Sequence, residues 1–497
     1  VSEAAERPVE AGPDTGGSDG AHRRPVRTLG GLPAFALVAG SMMGIGIFIS
    51  PPEVAAHVSS AGPFMLLWLL GGVAALLGAL SLAELGAMMP RDGGDYAYLR
   101  HSWGPGIAFA AGWLQLLAIF PGSLASVAVA TSRFQLPALL GPGFAEPVAL
   151  FGLELPASHL WAALIIVALT LLNHVGVKVS GMVQVLVTSV PLAVLLITAL
   201  VVLWQHEPSA TAGVAAVSGA APQAEPTVTK LARAYLPVYF AYSGWNAAIY
   251  VGGEIKRPGR NLPRALVGGT AAVTSLYLIL CAGFVAVFGL TTLAGVGEAG
   301  TAAAQAIFGT LGVTIVTGLI VLAMIGSLNG SVLTGSRIAY AMGKQGDCVR
   351  AAGELHPRFS TPAVALWLQC AIALALLFLD LILFGDGLDT LIAYTSSAML
   401  ITGTLTVLAV MLLRRRRPEL ERPYKTWLYP LPPLLYAASS LLVLVVLAQQ
   451  GDPSVWIAVG WFGAALLFYR LVHAPKVAAA KRRRRGTSEL PANGHSQ

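Results

Sequence analysis

Runs of apolar residues, each long enough to cross a bilayer as a helix, recur along nearly the whole chain with short polar segments between them. A spanning helix needs about 20 consecutive apolar residues. Such runs lie near 32–57, 64–89, 104–131, 157–174, 180–204, 229–253, 264–289, 311–341, 362–384, 388–413, 428–448 and 454–473. They predict twelve spanning helices. Two of the intervening stretches, Leu136–Leu155 and 291–308, are candidates for short surface helices. Residues 1–30 break the pattern, being rich in Gly, Pro, Ser and charge. They read as a disordered tail without the apolar core of a signal peptide, so the first span is expected to enter uncleaved.

Composition agrees with the pattern. The chain is 56% hydrophobic and 11% charged, with a mean hydropathy of +0.71, whereas soluble proteins carry about 25% charged residues. Its 55 Gly and 31 Pro suit membrane helices, where neighbouring helices re-satisfy the freed backbone groups. Charge fixes an expected topology. Of the 31 Lys and Arg, only Arg133, Lys230 and Arg233 fall in segments opposite the N-terminal tail. Positive residues stay on the cytoplasmic face, which places both termini in the cytoplasm of a plasma membrane such as a bacterial inner membrane. The run Lys481–Arg485 then needs no nucleic-acid partner and faces anionic membrane lipid. The cysteines Cys281, Cys348 and Cys370 are far apart, with no metal-type spacing and no disulfide framework.

Two spans are interrupted. The first reads LPAFALVAGSMMGIGIFISPP, with Gly40, Gly44 and Gly46 at its middle. The sixth reads YLPVYFAYSGWNAAIYVGGE, with Ser243 and Gly244 at its middle and Pro237 upstream. Glycine at mid-membrane depth lets the backbone leave helical geometry, which is tolerated where it lines a cavity or lies inside protein. The spacing of Gly40 and Gly44 also fits close helix packing. The pair decides between these readings. If spans one to five and six to ten form an inverted repeat, the interruptions occupy corresponding positions, the mark of a transporter's binding site. A half-helix starting after Gly44 offers N–H groups and a positive dipole end to a carboxylate. Half-helices ending near Met42 and at Phe240–Ser243 offer unpaired carbonyls to an ammonium group. Main chain alone then holds a zwitterion, with no charged side chain near the middle of spans 1, 3, 6, 8 or 10, where a charge costs about 2.5–3.5 kcal/mol on insertion scales. Neutral amino acids are favoured.

Six strings carry a family resemblance: GSMMGIGIFISPP (40–52), LAELGAMMPRDGGDYAYL (82–99), WLQLLAIFPGSLASVAVATSRF (113–134), FAYSGWNAAIYVGGEIKRPGRNLPRAL (240–266), GSLNGSVLTGSRIAYAMGKQG (326–346) and RRRRPELERPYKTWLYPLPP (414–433). In this order they resemble the amino acid–polyamine–organocation superfamily, and within it the L-type amino acid transporters and their bacterial exchanger relatives. The resemblance implies an all-α membrane protein with a LeuT-type fold of five plus five helices, helices 1 and 6 broken and two helices appended. The chain then divides into a tail (1–30), a first repeat (31–204), a second repeat (205–413), the last two spans (414–475) and a basic tail (476–497). Residue by residue, Met42, Ile45 and Gly46 match substrate-contacting positions of helix 1, and Phe240, Ser243 and Asn246 those of helix 6, with Phe240 as aromatic gate. With their neighbours Met43, Gly44, Ala241 and Gly244 these form the expected substrate site. Phe240 and Tyr242 also fit ordinary helix packing.

The chain departs from the family in places that bear on mechanism. Ile45 stands where the usual Gly-Ser-Gly has its hydroxyl, so backbone donors remain without side-chain reinforcement. Pro191 stands at or near a helix 5 lysine that serves relatives as a cation surrogate, which puts the coupling in question. Residues 132–157 hold no cysteine, so the heavy-chain partner that animal relatives bind by a disulfide is not expected. Among other candidates, Glu84 and Glu254 sit at span ends and read as ion-pair or helix-end residues before proton relays. Asn329 reads as a packing and hydrogen-bonding residue, and His57 and His174 as interfacial. No nucleophile, metal or dinucleotide-binding constellation is present, so neither catalysis nor a cofactor is expected. The reading is a secondary active carrier for a small amino acid, exchanging it for another or taking a proton with it. A transport-inactive amino acid sensor and a carrier for a related amine or polyamine stay open as alternatives. A channel would need a continuous polar lining, and an enzyme convergent catalytic groups.

Overall fold

In the computed structural model of the chain, residues 27–150, 153–205, 227–384 and 388–476 are described. The expected N-terminal tail up to residue 26 and the basic tail beyond Lys476 lie outside them. The first apolar run folds as two half-helices, α1 (Gly31–Met42) and α2 (Gly46–His57). α3 (Ala61–Met88) and the short α4 (Gly94–Ser102) follow. Gly93 and Gly94, at φ of 95° and 46°, make the turn between them. The third run continues from Pro105 to Leu140 as α5 (Pro105–Leu114), α6 (Phe120–Ala130) and α7 (Leu136–Leu140). Wide π turns at Gln115–Ile119 and Thr131–Gln135 join the pieces. A proline ring clashes with the carbonyl four residues back, and each π turn lies just before one, Pro121 or Pro137, where the wider turn makes room.

The surface helix expected over Leu136–Leu155 is corrected. After α7 comes a 3-10 turn, Pro142–Ala145, then an antiparallel hairpin of β1 (Val148–Leu150) and β2 (Leu153–Leu155), with Val148 opposite Leu155. Gly141 at φ 108° ends the helix, and Pro142 and Pro147 keep it from resuming.

α8 (Ala157–Val175) and α9 (Val177–Gln205) complete the first half. The sixth run is divided like the first, into α10 (Thr227–Ala241) and α11 (Ala247–Tyr250). α12 (Pro258–Leu293) and α13 (Ala299–Gln345) are long and kinked at Gly289 and Gly309, both at positive φ. The helix expected over 291–308 is thus mostly the first turns of α13, ahead of its kink. Glu298 caps it, its carboxylate accepting from the N–H groups of Gly300 and Thr301 at 2.7 and 2.8 Å. α14 (Ala363–Phe384), α15 (Leu388–Arg416), α16 (Leu431–Gln449) and α17 (Pro453–Phe468) end the chain.

Among the described residues ten helices are long and apolar enough to cross a membrane, against the twelve predicted runs. The remaining two runs fall short because the sixth is cut by its break and α14 counts only as a shorter apolar helix. The molecule is a helical, multi-pass membrane protein. α1 packs against α9, α12 and α13, while α2 packs against α10, so both breaks lie inside the bundle. Both described termini share one face. Leu29 pairs with Ile255, and His473 Nε2 lies 3.0 Å from Asp347, just beyond α13.

Candidate functional site

The two breaks are made by glycines that admit each other's backbone. Gly244 has φ +92°, and a Cβ there would lie 2.6 Å from the carbonyl oxygen of Ser41. A Cβ on Gly46 would lie 2.5 Å from Cα of Ala241. Each break therefore docks on the other, and only a hydrogen fits at either contact.

The backbone chemistry differs in detail from expectation. The N–H of Gly44 is used locally, donating to Met42 O at 2.7 Å. Phe48 and Ile49 both donate to Ile45 O. The N–H groups of Ile45 and Gly46 carry no hydrogen bond among the described residues, so the unpaired donors begin directly after Gly44. The carbonyls differ from expectation, because several already have partners. Tyr277 of α12 donates its hydroxyl to Met42 O at 2.5 Å and is 3.2 Å from Ala241 O, bridging the ends of α1 and α10. Ser327 of α13 donates to Ser41 O at 3.2 Å, and Ser243 N–H to Phe240 O at 2.9 Å. Each carbonyl has two lone pairs: Met42 O has both in use, from Gly44 and Tyr277, whereas Ser41 O, Phe240 O and Ala241 O each have one further lone pair.

Met42, Gly44, Ile45 and Gly46 line a cavity together with Phe240, Ala241, Ser243, Gly244 and Asn246. Met43 is buried but is not part of this wall. Tyr242 turns away and packs against Trp68 and Tyr277. Ile119, Phe120, Ser123, Ser327, Thr402 and Tyr436 add walls from the third, eighth, tenth and eleventh runs.

Among the wall residues that the sequence reading does not place is Asp95 of α4. It sits in the quoted string GGDYAYL, directly after the two positive-φ glycines that turn α4 under the cavity. A carboxylate beside a glycine turn was the visible signal. Its Oδ2 accepts from Tyr250 Oη at 2.8 Å and from Gln115 Nε2 at 3.0 Å. Asn246 Nδ2 in turn donates to Tyr250 Oη at 3.1 Å. α4 lies outside the spanning helices, and burial pushes the Asp95 carboxyl up to about 7 against the lowering effect of those two bonds.

The other carboxylates are paired, as read from the sequence. Glu84 holds Arg414 at 2.6 Å and the N–H of Thr426 at 2.7 Å, and Glu254 holds the buried Arg337 at 3.0 Å. Asn329 accepts from Asn173 at 2.8 Å and donates to Gln184 at 2.7 Å. Pro191 is buried in α9. A turn or two earlier, Gln184 and Thr188 reach Ala36 O at 3.4 and 3.2 Å, and Gln184 also reaches Gly326 O at 3.0 Å. Neutral donors thus tie α9 to α1 and α13. His57 bonds the carbonyl of Glu53, His174 packs edge-on against His356 and Phe359, and all three cysteines are unbridged.

The sequence profile of amino acid permeases matches residues 29–469. The chain belongs to the amino acid permease family. This permease is 30% identical over 426 residues to the serine/threonine exchanger SteT of Bacillus subtilis (strain 168), covering 84% of the chain and 90% of the relative. The b(0,+)-type amino acid transporter 1 of Mus musculus is also 30% identical, over 90% of the chain and 88% of the relative. The human large neutral amino acids transporter small subunit 2 is 28% identical, over 94% and 85%. The resemblance to the amino acid–polyamine–organocation superfamily is thereby confirmed, and the permease is a membrane transporter of amino acids.

Proposed function

We propose that the permease moves neutral amino acids across the plasma membrane by alternating access, as an exchanger or a proton-linked symporter. The observation that carries this reading is the reciprocal docking of two broken helices on one cavity, with Ile45 and Gly46, whose N–H groups carry no hydrogen bond among the described residues, on its wall. A substrate carboxylate is drawn to those donors and the dipole of α2. Its ammonium group takes the remaining lone pairs of Ser41 O, Phe240 O and Ala241 O, since Met42 O already accepts two hydrogen bonds. Phe240, buried yet on the cavity wall, closes over the substrate. Among the described residues the wall contains no Lys or Arg, which favours a net-neutral zwitterion.

Residues 31–204 and 205–413 serve as the two halves of an inverted repeat, a reading supported by a break in the first run of each. The near-total segregation of Lys and Arg supports cytoplasmic termini. The face where Leu29, Ile255, Asp347 and His473 meet is then the cytoplasmic face. The absence of cysteine from 132–157 supports a carrier without a disulfide-linked partner.

The test is uptake of a labelled amino acid panel into proteoliposomes, with and without internal amino acid and with and without a pH gradient. Uptake of neutral amino acids that requires internal amino acid indicates exchange, and uptake that follows the gradient indicates proton linkage. Specific binding with no uptake in any arm would leave a sensor in place of a carrier.

A further inference from the structure

Asp95 differs from the other carboxylates just described. It is 2% exposed and lies on the cavity wall, and among the described residues no Lys, Arg or His pairs with it. Its Oδ1 has no hydrogen-bond partner, and neither has Gln115 Oε1, the acceptor end of the amide whose Nε2 holds Oδ2. Two orphaned acceptors at one buried place lack a hydrogen, and a proton on the carboxyl supplies it. The ionisable groups around it are tyrosines: Tyr98 on its own helix, Tyr250 and Tyr239 from the sixth run and Tyr436 from α16. None of them offers a positive charge to hold it ionised.

The surrounding structure says when that proton is held. The cytoplasmic side is zipped shut around α4. Leu29 N–H donates to Glu254 O and Lys256 N–H to Leu29 O, at 2.9 and 2.8 Å. Gly93 N–H donates to Tyr250 O at 3.1 Å, and Gly253 N–H to Asp92 at 3.1 Å. The Arg337–Glu254 pair crosses the same seam through one bond, leaving Arg337 Nη2 and Glu254 Oε2 without partners. Opening this seam, as alternating access requires, admits water to Asp95.

We propose that Asp95 is a proton-binding site that loads as the cytoplasmic side closes and unloads as it opens. The inference rests on the alternating-access reading and names the ion coupled to it. In the closed state the carboxyl is neutral and the orphaned acceptors are joined by its hydrogen. In the open state water solvates the carboxylate and the proton leaves to bulk solvent. The chain Asn246–Tyr250–Asp95 connects that charge to the second break. The sign follows from the two states. Below the ordinary carboxylate range of about 4 both are protonated, and pH has no effect. Between there and about 7 closing takes up a proton, so each pH unit disfavours closure up to tenfold. Above that both states are ionised and the effect levels off.

The experiment has two arms. In proteoliposomes at equal pH on both faces, wild-type exchange is expected to fall severalfold per unit from pH 5 to 7 and then flatten. The exchange that Asp95→Asn retains is expected to be level over the same range. A falling limb that survives in Asp95→Asn belongs to another group, Asp92 foremost, and overturns the assignment. A variant that loses only lysine and arginine binding, with its pH limb intact, would make Asp95 a side-chain subsite instead. The second arm needs no transport. Difference infrared spectra of the purified wild type between acid and alkaline pH should show the carbonyl stretch of a protonated buried carboxyl, missing in Asp95→Asn. A spectrum unchanged by the substitution overturns the proposal even where uptake is normal. A clear titration without any uptake would defeat the carrier reading and leave the proton site standing.

Discussion

The two breaks arise from similar sequence, glycine in an apolar run, yet they are held in different ways. The first is held from outside. Ser327 takes Ser41 O, Tyr277 takes Met42 O beside its bond from Gly44 N–H, and Gln184 and Thr188 reach Ala36 O further up α1, so three neighbouring helices hold the broken helix. Its backbone needs no left-handed residue, and Met43 and Ile45 both have negative φ. The second break holds itself. Ser243 donates to Phe240, Ala247 to Gly244 and Ile249 to Asn246, a series of tight turns, and Gly244 is left-handed at +92°. The lesson is that one break is set by its surroundings and the other by its own backbone. The first can be loosened through side chains several helices away, the second through Gly244 itself.

The largest expected effect tests the second break. In Gly244→Ala a left-handed alanine costs about 1–2 kcal/mol, and its Cβ meets the Ser41 carbonyl at 2.6 Å, backbone that has no rotamer to escape into. Uptake should fall by well over tenfold while the protein still inserts and remains monodisperse in detergent. Gly46→Leu should behave alike, since its neighbour is the Ala241 backbone. Near-normal uptake by both variants would end the docked-break account of the site.

Much of this was legible beforehand. Apolar run length located the helices, because hydrocarbon thickness sets their length with little help from tertiary context. Mid-span glycine located both breaks, Gly44 and Gly46 in the first and Gly244 in the second, because no other residue admits backbone so close. The partners of the broken ends were not legible. Tyr277, Ser327 and Gln184 are remote in sequence from the carbonyls they hold, and nothing local to them marks a polar residue as a cap. Asp95 was missed for a related reason. The sequence marks out charges within or at the ends of spans, whereas Asp95 lies on a non-spanning helix that a positive-φ glycine pair folds back under the cavity. The hairpin at 148–155 was misread because its apolar residues support either form and the flanking prolines decide.

A middle-sized effect separates the breaks by their caps. Tyr277→Phe removes the one hydroxyl shared by Met42 O and Ala241 O; Met42 O keeps its bond from Gly44 N–H, while Ala241 O loses its partner, and a buried carbonyl left unpaired costs about 1–3 kcal/mol. Ser327→Ala removes a single cap from the first break alone. Transport efficiency should drop roughly tenfold in the first variant, about 1.4 kcal/mol, and only a fewfold in the second. Equal losses would mean that Tyr277 does not join the two breaks.

A subtler change is expected at the proton site. Tyr250 Oη donates to Asp95 Oδ2 and so favours the ionised carboxyl. Tyr250→Phe removes that bond, raises the carboxyl further above about 7 and extends the falling limb of the pH profile to more alkaline pH. A shift toward acid would show that the tyrosine acts on some other group.

The smallest effect is the sharpest test of the contrast, because it adds the same methyl group to the first break that Gly244→Ala adds to the second. In Gly44→Ala the new Cβ meets Ser327 Oγ at 3.0 Å, the far end of a side chain that can rotate, and φ there is not left-handed. Rotation gives up the bond to Ser41 O, worth about 0.5–1.5 kcal/mol, so uptake should change only a fewfold. The Gly44→Ala, Ser327→Ala double variant should then be no worse than Ser327→Ala alone, since the hydroxyl that the methyl displaces is already gone. If Gly44→Ala instead abolishes uptake as Gly244→Ala does, and the double variant does not recover, the first break is as rigid as the second. Its neighbours would then only decorate a backbone that sets itself.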